Sequence, residues 1–179
     1  YGPPVKTMRS YLEGMKSAPY TALSHEEEPP TVIAALGPKM LELASEMTQG
    51  AHPYFTSPEH TAMAREKLGK DSWLCVEQKV ILEKDPTKAR ETAKQTAAIY
   101  KGLPNYRNNW IRMGLAEEDI DSLNDKFIDT TFAWGTEAVI RERISAHFDA
   151  GADHVCIQPV NPNGQMTGLD WDCLEALSN

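Results

Sequence analysis

Apolar and polar residues change their spacing about every 20 residues along most of the chain. Apolar positions three and four apart predict a first helix over 4–16. After a polar, proline-rich connection over 18–30, short apolar runs alternate with segments of helical period. This pattern predicts strands over 32–36, 51–54, 73–82 and 154–160, and helices over 38–48, 58–68, 86–101 and 136–150.

The predicted helices have recognisable starts and stops. Ser57 and Asp85 each precede a proline, which is typical of an N-cap followed by the first helical residue. Gly50, Gly69 and Gly102 lie where three helices should end. These signals divide the chain into strand and helix units.

Between 102 and 135 the alternation breaks into two shorter helical segments, 104–114 and 116–134. We interpret them as an insertion before the last unit. Strands that alternate with helices favour parallel pairing through right-handed crossovers, so the predicted class is α/β, with residues 1–179 in one domain. Four predicted strands fit either a small open sheet or half of an eight-stranded barrel, and the pattern alone does not choose.

Composition and charge limit the kinds of partner and the cellular location that we expect for this chain. The chain has 179 residues, a net charge of −8 and no run of basic residues, so nucleic acid is not an expected partner. No apolar stretch reaches the roughly 20 residues that span a bilayer, and the first residues lack a signal-peptide core, so we expect a cytoplasmic protein without a membrane segment. Cys75, Cys156 and Cys173 are odd in number and widely spaced, which favours buried thiols in a reducing compartment.

Candidate binding residues lie where predicted strands end. Gly37-Pro38 follows the first strand, where a turn without a Cβ either admits a phosphate group or only shapes the chain. His52 and Tyr54 occupy the equivalent end of the next strand and can donate hydrogen bonds, although a lone histidine beside a proline is often structural.

Other polar residues are candidates for a substrate pocket. Gln78 interrupts an apolar strand, where it either contacts a ligand or marks a wet strand end. Tyr106, Arg107 and Asn109 cluster in a segment that either lines a pocket or begins a helix. No metal-binding spacing and no nucleophile motif occur in the sequence, so we expect no metal and name no catalytic residue.

Four stretches carry a family resemblance: "AALGPKMLELASEMTQGAHPYFTSPEHTAMAREKLG", "EQKVILEKDPTKARETAK", "LPNYRNNWIRMG" and "AWGTEAVIRERISAHFDAGADHVCIQPV". Together they resemble the luciferase-like monooxygenase superfamily, and most closely its branch of probable coenzyme F420-dependent oxidoreductases. The resemblance covers nearly the whole chain in order.

The resemblance implies a (β/α)8 TIM barrel whose active site lies at the carboxyl ends of the strands. This chain resembles its C-terminal half, with the predicted strands as strands five to eight and the N-terminal half absent. The chain alone is then expected to be inactive. Half a barrel would expose two sheet edges and an apolar inner face, so we expect self-association or a missing N-terminal half as its partner.

The family also implies a cofactor site. In the family, the turns after strands five and six approach the tail of the flavin or deazaflavin. By position, the resemblance assigns this cofactor contact to Ala35, Leu36, Gly37, Pro38, His52, Pro53 and Tyr54. The implied activity is hydride transfer between coenzyme F420 and a small organic substrate. The alternatives are an FMN-dependent monooxygenase of the same superfamily and a non-catalytic half-barrel that acts as a fragment or binding scaffold.

Overall fold

The structure is a computed structural model that describes residues 2–19, 21, 23, 29–163 and 168–178. Its strands are β1 (Val32–Ala34), β2 (Gly50–His52), β3 (Trp73–Ile81), β4 (Phe132–Trp134) and β5 (His154–Pro159). Its helices are α1 (Pro4–Ser17), α2 (Pro38–Met47), α3 (Pro58–Leu68), α4 (Pro86–Ala98), α5 (Pro104–Arg112), α6 (Glu117–Ser122), α7 (Asp125–Thr131), α8 (Glu137–Asp149) and α9 (Trp171–Leu177). The predicted connection over 18–30 lies partly outside the described residues.

The five strands form one parallel sheet, which confirms the predicted α/β class. β1 pairs with β2, and the long strand β3 pairs with β2, β4 and β5. One set of β3 residues forms backbone hydrogen bonds with the segments that contain β2 and β4, namely Trp73, Glu77 and Ile81. A second set bonds to the segment that contains β5, namely Leu74 and Val80. Because alternate residues of a strand point their backbone groups to opposite edges, β2 and β4 share one edge of β3 and β5 occupies the other.

β4 is the strand that the sequence pattern missed. The prediction placed Phe132 to Trp134 at the end of a helical segment, but α7 ends at Thr131 and the chain turns into a strand at once. Phe132 and Ala133 are buried, like Phe127 and Ile128 of the preceding helix. A strand of three apolar residues that directly follows a helix shows no change of period, which explains the error.

The predicted helix signals are confirmed in part, and Gly102 is not a helix stop, because α4 ends at Ala98. The Asp85 side chain caps α4 by accepting hydrogen bonds from two backbone amides, and Ser57 is the N-cap of α3, although its side chain forms no capping bond. Gly69 ends α3 with a left-handed φ of 82°. Gly50 was wrongly assigned as a helix stop, because it is the first residue of β2 and packs against the backbone of Trp73.

Three hydrophobic clusters stabilise the fold. One surrounds Phe55, Trp110 and Phe127 and joins α4 to α7 with the end of β2, so the insertion packs at the carboxyl side of the sheet. A second lies between α1 to α3 and the first three strands, and a small third one centres on Val80 and Ile140. These clusters fix the positions of the strand ends.

The cysteines depart in part from the prediction of buried thiols. Cys173 is buried and Cys75 is half-buried, but Cys156 is exposed. Cys156 follows the alternation of β5, in which every second side chain points away from the core. All three thiols are free.

Candidate functional site

A cleft opens where β1 and β2 end. Ala34 and His52 are register partners, so the turns that follow the two strands lie side by side, as expected for neighbouring parallel strands. The cleft has a volume of about 590 Å³, within the usual range for a small-molecule site. It is lined by Pro4, Val5, Ala34, Ala35, Leu36, Gly37, Pro38, Lys39, Met40, His52, Tyr54, Asn105, Tyr106, Asn108 and Arg112.

The amino end of α2 forms one wall of this cleft. Gly37 is the N-cap of α2 and supplies no capping side chain, whereas the caps of α4, α7, α8 and α9 do. Free amides at a helix start carry a partial positive charge. In α2, Pro38 has no N–H and the Met40 amide donates to the Gly37 carbonyl oxygen, which leaves the amides of Gly37 and Lys39 to meet an anion. The amino end of α2 is therefore suited to an anion that approaches over Gly37.

Arg112, the last residue of α5, reaches the same place. Its Nη2 atom lies 3.3 Å from the position that a Cβ on Gly37 would occupy. Its polar contact is a long 3.4 Å hydrogen bond to Asn109 Oδ1. Among the ion pairs of the described residues, none involves Arg112. A guanidinium group is thus held at an uncapped helix end.

The charge of the cleft is opposite to that of the chain. Lys39 and Arg112 line it, and the described lining residues include no aspartate or glutamate. The whole chain carries 26 acidic and 18 basic residues, with a net charge of −8. The cleft is therefore a local positive region on an acidic protein, which favours an anionic ligand.

His52 and Tyr54 line the cleft from the end of β2. His52 Nδ1 lies 2.6 Å from the Cys75 carbonyl oxygen, so Nδ1 carries a proton and donates it to this hydrogen bond. The Tyr54 hydroxyl donates to Gln158 Oε1 at 2.8 Å and lies 3.0 Å from the Tyr100 hydroxyl. Burial is the main reason that the pKa of Tyr54 is raised, so this hydroxyl stays protonated in neutral solution.

A residue that sequence reasoning did not select supports the first wall. His60, on α3, is buried, and its Nε2 lies 2.9 Å from the Leu36 carbonyl oxygen. Because the carbonyl accepts, Nε2 carries the proton. Burial lowers the pKa of His60, which favours this neutral form. His60 therefore ties α3 to the chain just before Gly37.

Of the residues predicted to hold a cofactor, six line the cleft: Ala35, Leu36, Gly37, Pro38, His52 and Tyr54. Pro53 is buried beneath them. Their role in binding stays a prediction, but the structure brings them together.

The substrate-pocket candidates are divided by the structure. Tyr106 lines the cleft, and Asn109 lies buried behind it, in contact with Arg112. Arg107 points elsewhere and forms ion pairs with Glu117 and Asp121, because adjacent positions on α5 face different directions. Of the described cleft residues that the sequence analysis did not select, Lys39 and Arg112 gave no motif because their signal is purely spatial.

Gln78 lies on the face of β3 that packs against α3 and α8, and it does not line the cleft. Its Nε2 donates to the carbonyls of Lys79 and Thr131, and its Oε1 lies 2.9 Å from His147 Nε2. His147 Nδ1 lies 2.8 Å from the Thr61 hydroxyl. Because Gln78 Oε1 accepts, His147 Nε2 carries a proton, and burial, which lowers the pKa of His147, favours the neutral ring. Through His147, Gln78 links the sheet to α3 and α8.

This network predicts an acid-sensitive component of stability. Burial, the largest cause, lowers the pKa of His147 from 6.5 to about 4. Between these two values the unfolded chain binds the proton and the folded chain does not, so the free energy of unfolding should fall as the pH drops from 6.5 to 4. Urea unfolding across this window measures it.

The His147→Gln variant should lose much of the pH dependence of its free energy of unfolding in this window. The smaller part that remains is expected from His60, whose pKa is also lowered by burial. His154 is exposed on β5, so His154→Gln is the matched control and should follow the wild-type curve. A His147→Gln protein with the wild-type pH profile would contradict the lowered pKa of His147.

The described part of the chain contains no group of three or more His, Cys, Asp or Glu residues arranged to hold a metal ion. None of its helices is long and apolar enough to cross a membrane.

Parallel strands joined through helices, with a cleft at two neighbouring carboxyl ends, define an α/β ligand-binding architecture. The family model of luciferase-like monooxygenases matches residues 7–154, which is most of the chain. The chain belongs to the luciferase-like monooxygenase family. No curated protein sequence matches it.

Solved structures agree with this fold. The coenzyme F420-dependent tetrahydromethanopterin reductase from Methanopyrus kandleri is similar over 75% of this chain and 46% of its own, with a TM-score of 0.55 and 18% identity. An F420-dependent secondary alcohol dehydrogenase in complex with an F420-acetone adduct is similar over 89% of this chain and 55% of its own, with a TM-score of 0.54 and 16% identity. At these identities the likeness establishes the fold. The chain spans about half the length of the two proteins.

Proposed function

We propose that this chain contributes the cofactor-tail site of an F420-dependent oxidoreductase, which transfers a hydride between the deazaflavin and a small organic substrate. The observation that carries the proposal is the positive cleft at the amino end of α2, where Gly37 and Arg112 meet. Family membership and two structural neighbours whose names include F420 support it.

The residues present fit an anionic coenzyme tail. Gly37 allows a phosphate oxygen to approach the first amides of α2 closely, and Arg112 can pair with it through its planar guanidinium. Lys39 adds a second positive charge to the cleft. His52 and Tyr54 would contact the uncharged part of the tail from the end of β2.

When bound, the coenzyme supplies the hydride chemistry, which is a property of its ring. The task of this chain is then to bind and orient the tail. Its described cleft residues include no carboxylate that would repel the phosphate. We assign no residue of this chain as the acid or base of the reaction.

The second candidate is an FMN-dependent monooxygenase, and the observation in its favour is the description of the matching family as luciferase-like monooxygenases. Both coenzymes carry a phosphate group, so the cleft suits either one. The absorbance of protein purified from a host that makes both coenzymes separates them. A band near about 420 nm identifies the deazaflavin and one near about 450 nm identifies FMN.

We also propose that the isolated 179-residue chain self-associates. β1 pairs with β2 alone and β5 with β3 alone, so among the described strands each has an unpaired edge. Between these edges one face of the sheet carries Ala34, Cys156 and Gln158 in exposed positions. This face is mixed in polarity, which corrects the expectation of an apolar inner face.

Size-exclusion chromatography with light scattering tests self-association. The expected result is an assembly heavier than the 19.9 kDa of one chain. A single species at the mass of one chain, with cooperative thermal unfolding, would show that the sheet needs no partner.

A further inference from the structure

A fully buried lysine lies behind the Tyr54 wall of the cleft. Lys79, on β3, has no exposed surface, and its Nζ atom lies 3.1 Å from Glu77 Oε1 and 3.1 Å from Gln158 Oε1. The same atom lies 3.7 Å from the centre of the Tyr54 ring. Two further rings, Phe55 at 4.3 Å and Tyr100 at 5.3 Å, complete the enclosure. An ammonium group on an aromatic face in a dry site is strongly attracted to it.

The partners of Lys79 also hold the backbone next to Tyr54. Glu77 Oε2 accepts a hydrogen bond of 2.8 Å from the Phe55 amide. Phe55 has a φ of 62°, a left-handed conformation that a non-glycine residue adopts only when its surroundings enforce it. One carboxylate therefore links the lysine to a strained turn, and loss of the positive charge would leave that carboxylate buried without a counter-charge.

We propose that Lys79 is a positioning residue for the cleft: its buried ammonium group holds the Tyr54 ring directly and the Phe55 amide through Glu77. Tyr54 lines the cleft and Lys79 does not. The affinity of the cleft for a ligand therefore depends on the charge of Lys79 through Tyr54. The effect on ligand binding rests on the proposed function, whereas the effect on Tyr54 does not.

The arrangement makes the cleft wall sensitive to pH. Burial, the main cause, lowers the pKa of Lys79 from 10.5 to about 8. The titratable groups that face it are Glu77 from β3, Tyr54 from the end of β2 and Tyr100 from beyond α4, with Tyr106 of α5 packed beside Tyr100. Burial raises the pKa of Tyr54 and of Tyr106, so a charge change near pH 8 is assigned to Lys79.

NMR of ring-labelled tyrosine tests the positioning without any ligand. The Tyr54 signal, assigned with Tyr54→Phe, should shift with a midpoint near pH 8 in the wild type and stay constant in Lys79→Met. Lys79→Arg keeps the positive charge at every pH tested and should also remove the shift. Lys79→Met is close in length and tests the same point if arginine does not fit.

Titration with coenzyme F420 tests the consequence for binding. Wild-type affinity should fall about fivefold between roughly pH 7 and 9.5, as the cation–π attraction is lost. Lys79→Met should bind about fivefold more weakly at neutral pH and show no such fall.

The two readouts separate the hypotheses. A Tyr54 signal that titrates in the wild type but not in Lys79→Met, without F420 binding, supports the positioning role and rejects the proposed function. A Tyr54 signal that is constant across this range, or an F420 affinity with the same pH profile in the wild type and in Lys79→Met, would overturn the role of Lys79.

Discussion

Gly50→Ala should lower the free energy of unfolding by about 3 kcal/mol, the upper part of the usual range for overpacking. A Cβ at Gly50 would overlap the Trp73 carbonyl oxygen and lie 2.8 Å from Trp73 Cβ. The obstacle is largely backbone, and this backbone pairs β2 with β3, so it cannot yield like the end of a flexible side chain. Urea denaturation measures the change.

Gly14→Ala is the matched control. Gly14 lies within α1, and a Cβ there would meet nothing within 4 Å. Alanine should stabilise that helix by about 0.5 to 1 kcal/mol. Equal effects of the two substitutions would contradict the close approach of β2 and β3.

Loss of the guanidinium at the amino end of α2 should weaken cofactor binding. Arg112→Gln removes the charge beside Gly37, and we expect the dissociation constant of F420 to rise about tenfold or more, which is at least about 1.4 kcal/mol. Gly37→Val should have a similar effect, because its side chain would displace Arg112 and cover the first amides of α2.

Arg107→Gln is the control for this pair of variants. Arg107 lies on the same helix but forms ion pairs with Glu117 and Asp121 on exposed surface. Its removal should leave F420 affinity unchanged. If Arg107→Gln and Arg112→Gln weakened binding equally, the effect would be general electrostatics and the anion site would be misplaced.

The sequence predicts the parts of this fold that depend on local order. Periodicity and caps located α3 at its observed bounds, Pro58–Leu68, and placed the four predicted strands and the other helices of the alternating units within a few residues. The predicted helical segment 116–134 instead divides into α6, α7 and β4. Neighbouring parallel strands then brought Gly37 and His52 to one cleft. Local patterns were sufficient here because each element buries its own regular face.

The rest depends on contacts between distant residues. Arg112 is far from Gly37 in sequence and reaches it only because α5 packs at the carboxyl side of the sheet. Lys79 looks in the sequence like a charged residue at the wet end of a strand, yet it is fully enclosed by three aromatic rings and Glu77. Gln78, its neighbour, points to the helices because successive strand residues face opposite sides.

The positive cleft at the amino end of α2 is proposed to bind the phosphate-bearing tail of a deazaflavin. Fluorescence titration of the chain with coenzyme F420, and with the same deazaflavin lacking the phosphate tail, tests this binding. We predict saturable binding of one F420 per chain, about tenfold or more tighter than binding of the truncated compound. Equal affinity for the two compounds, or no saturable binding of F420, would contradict it.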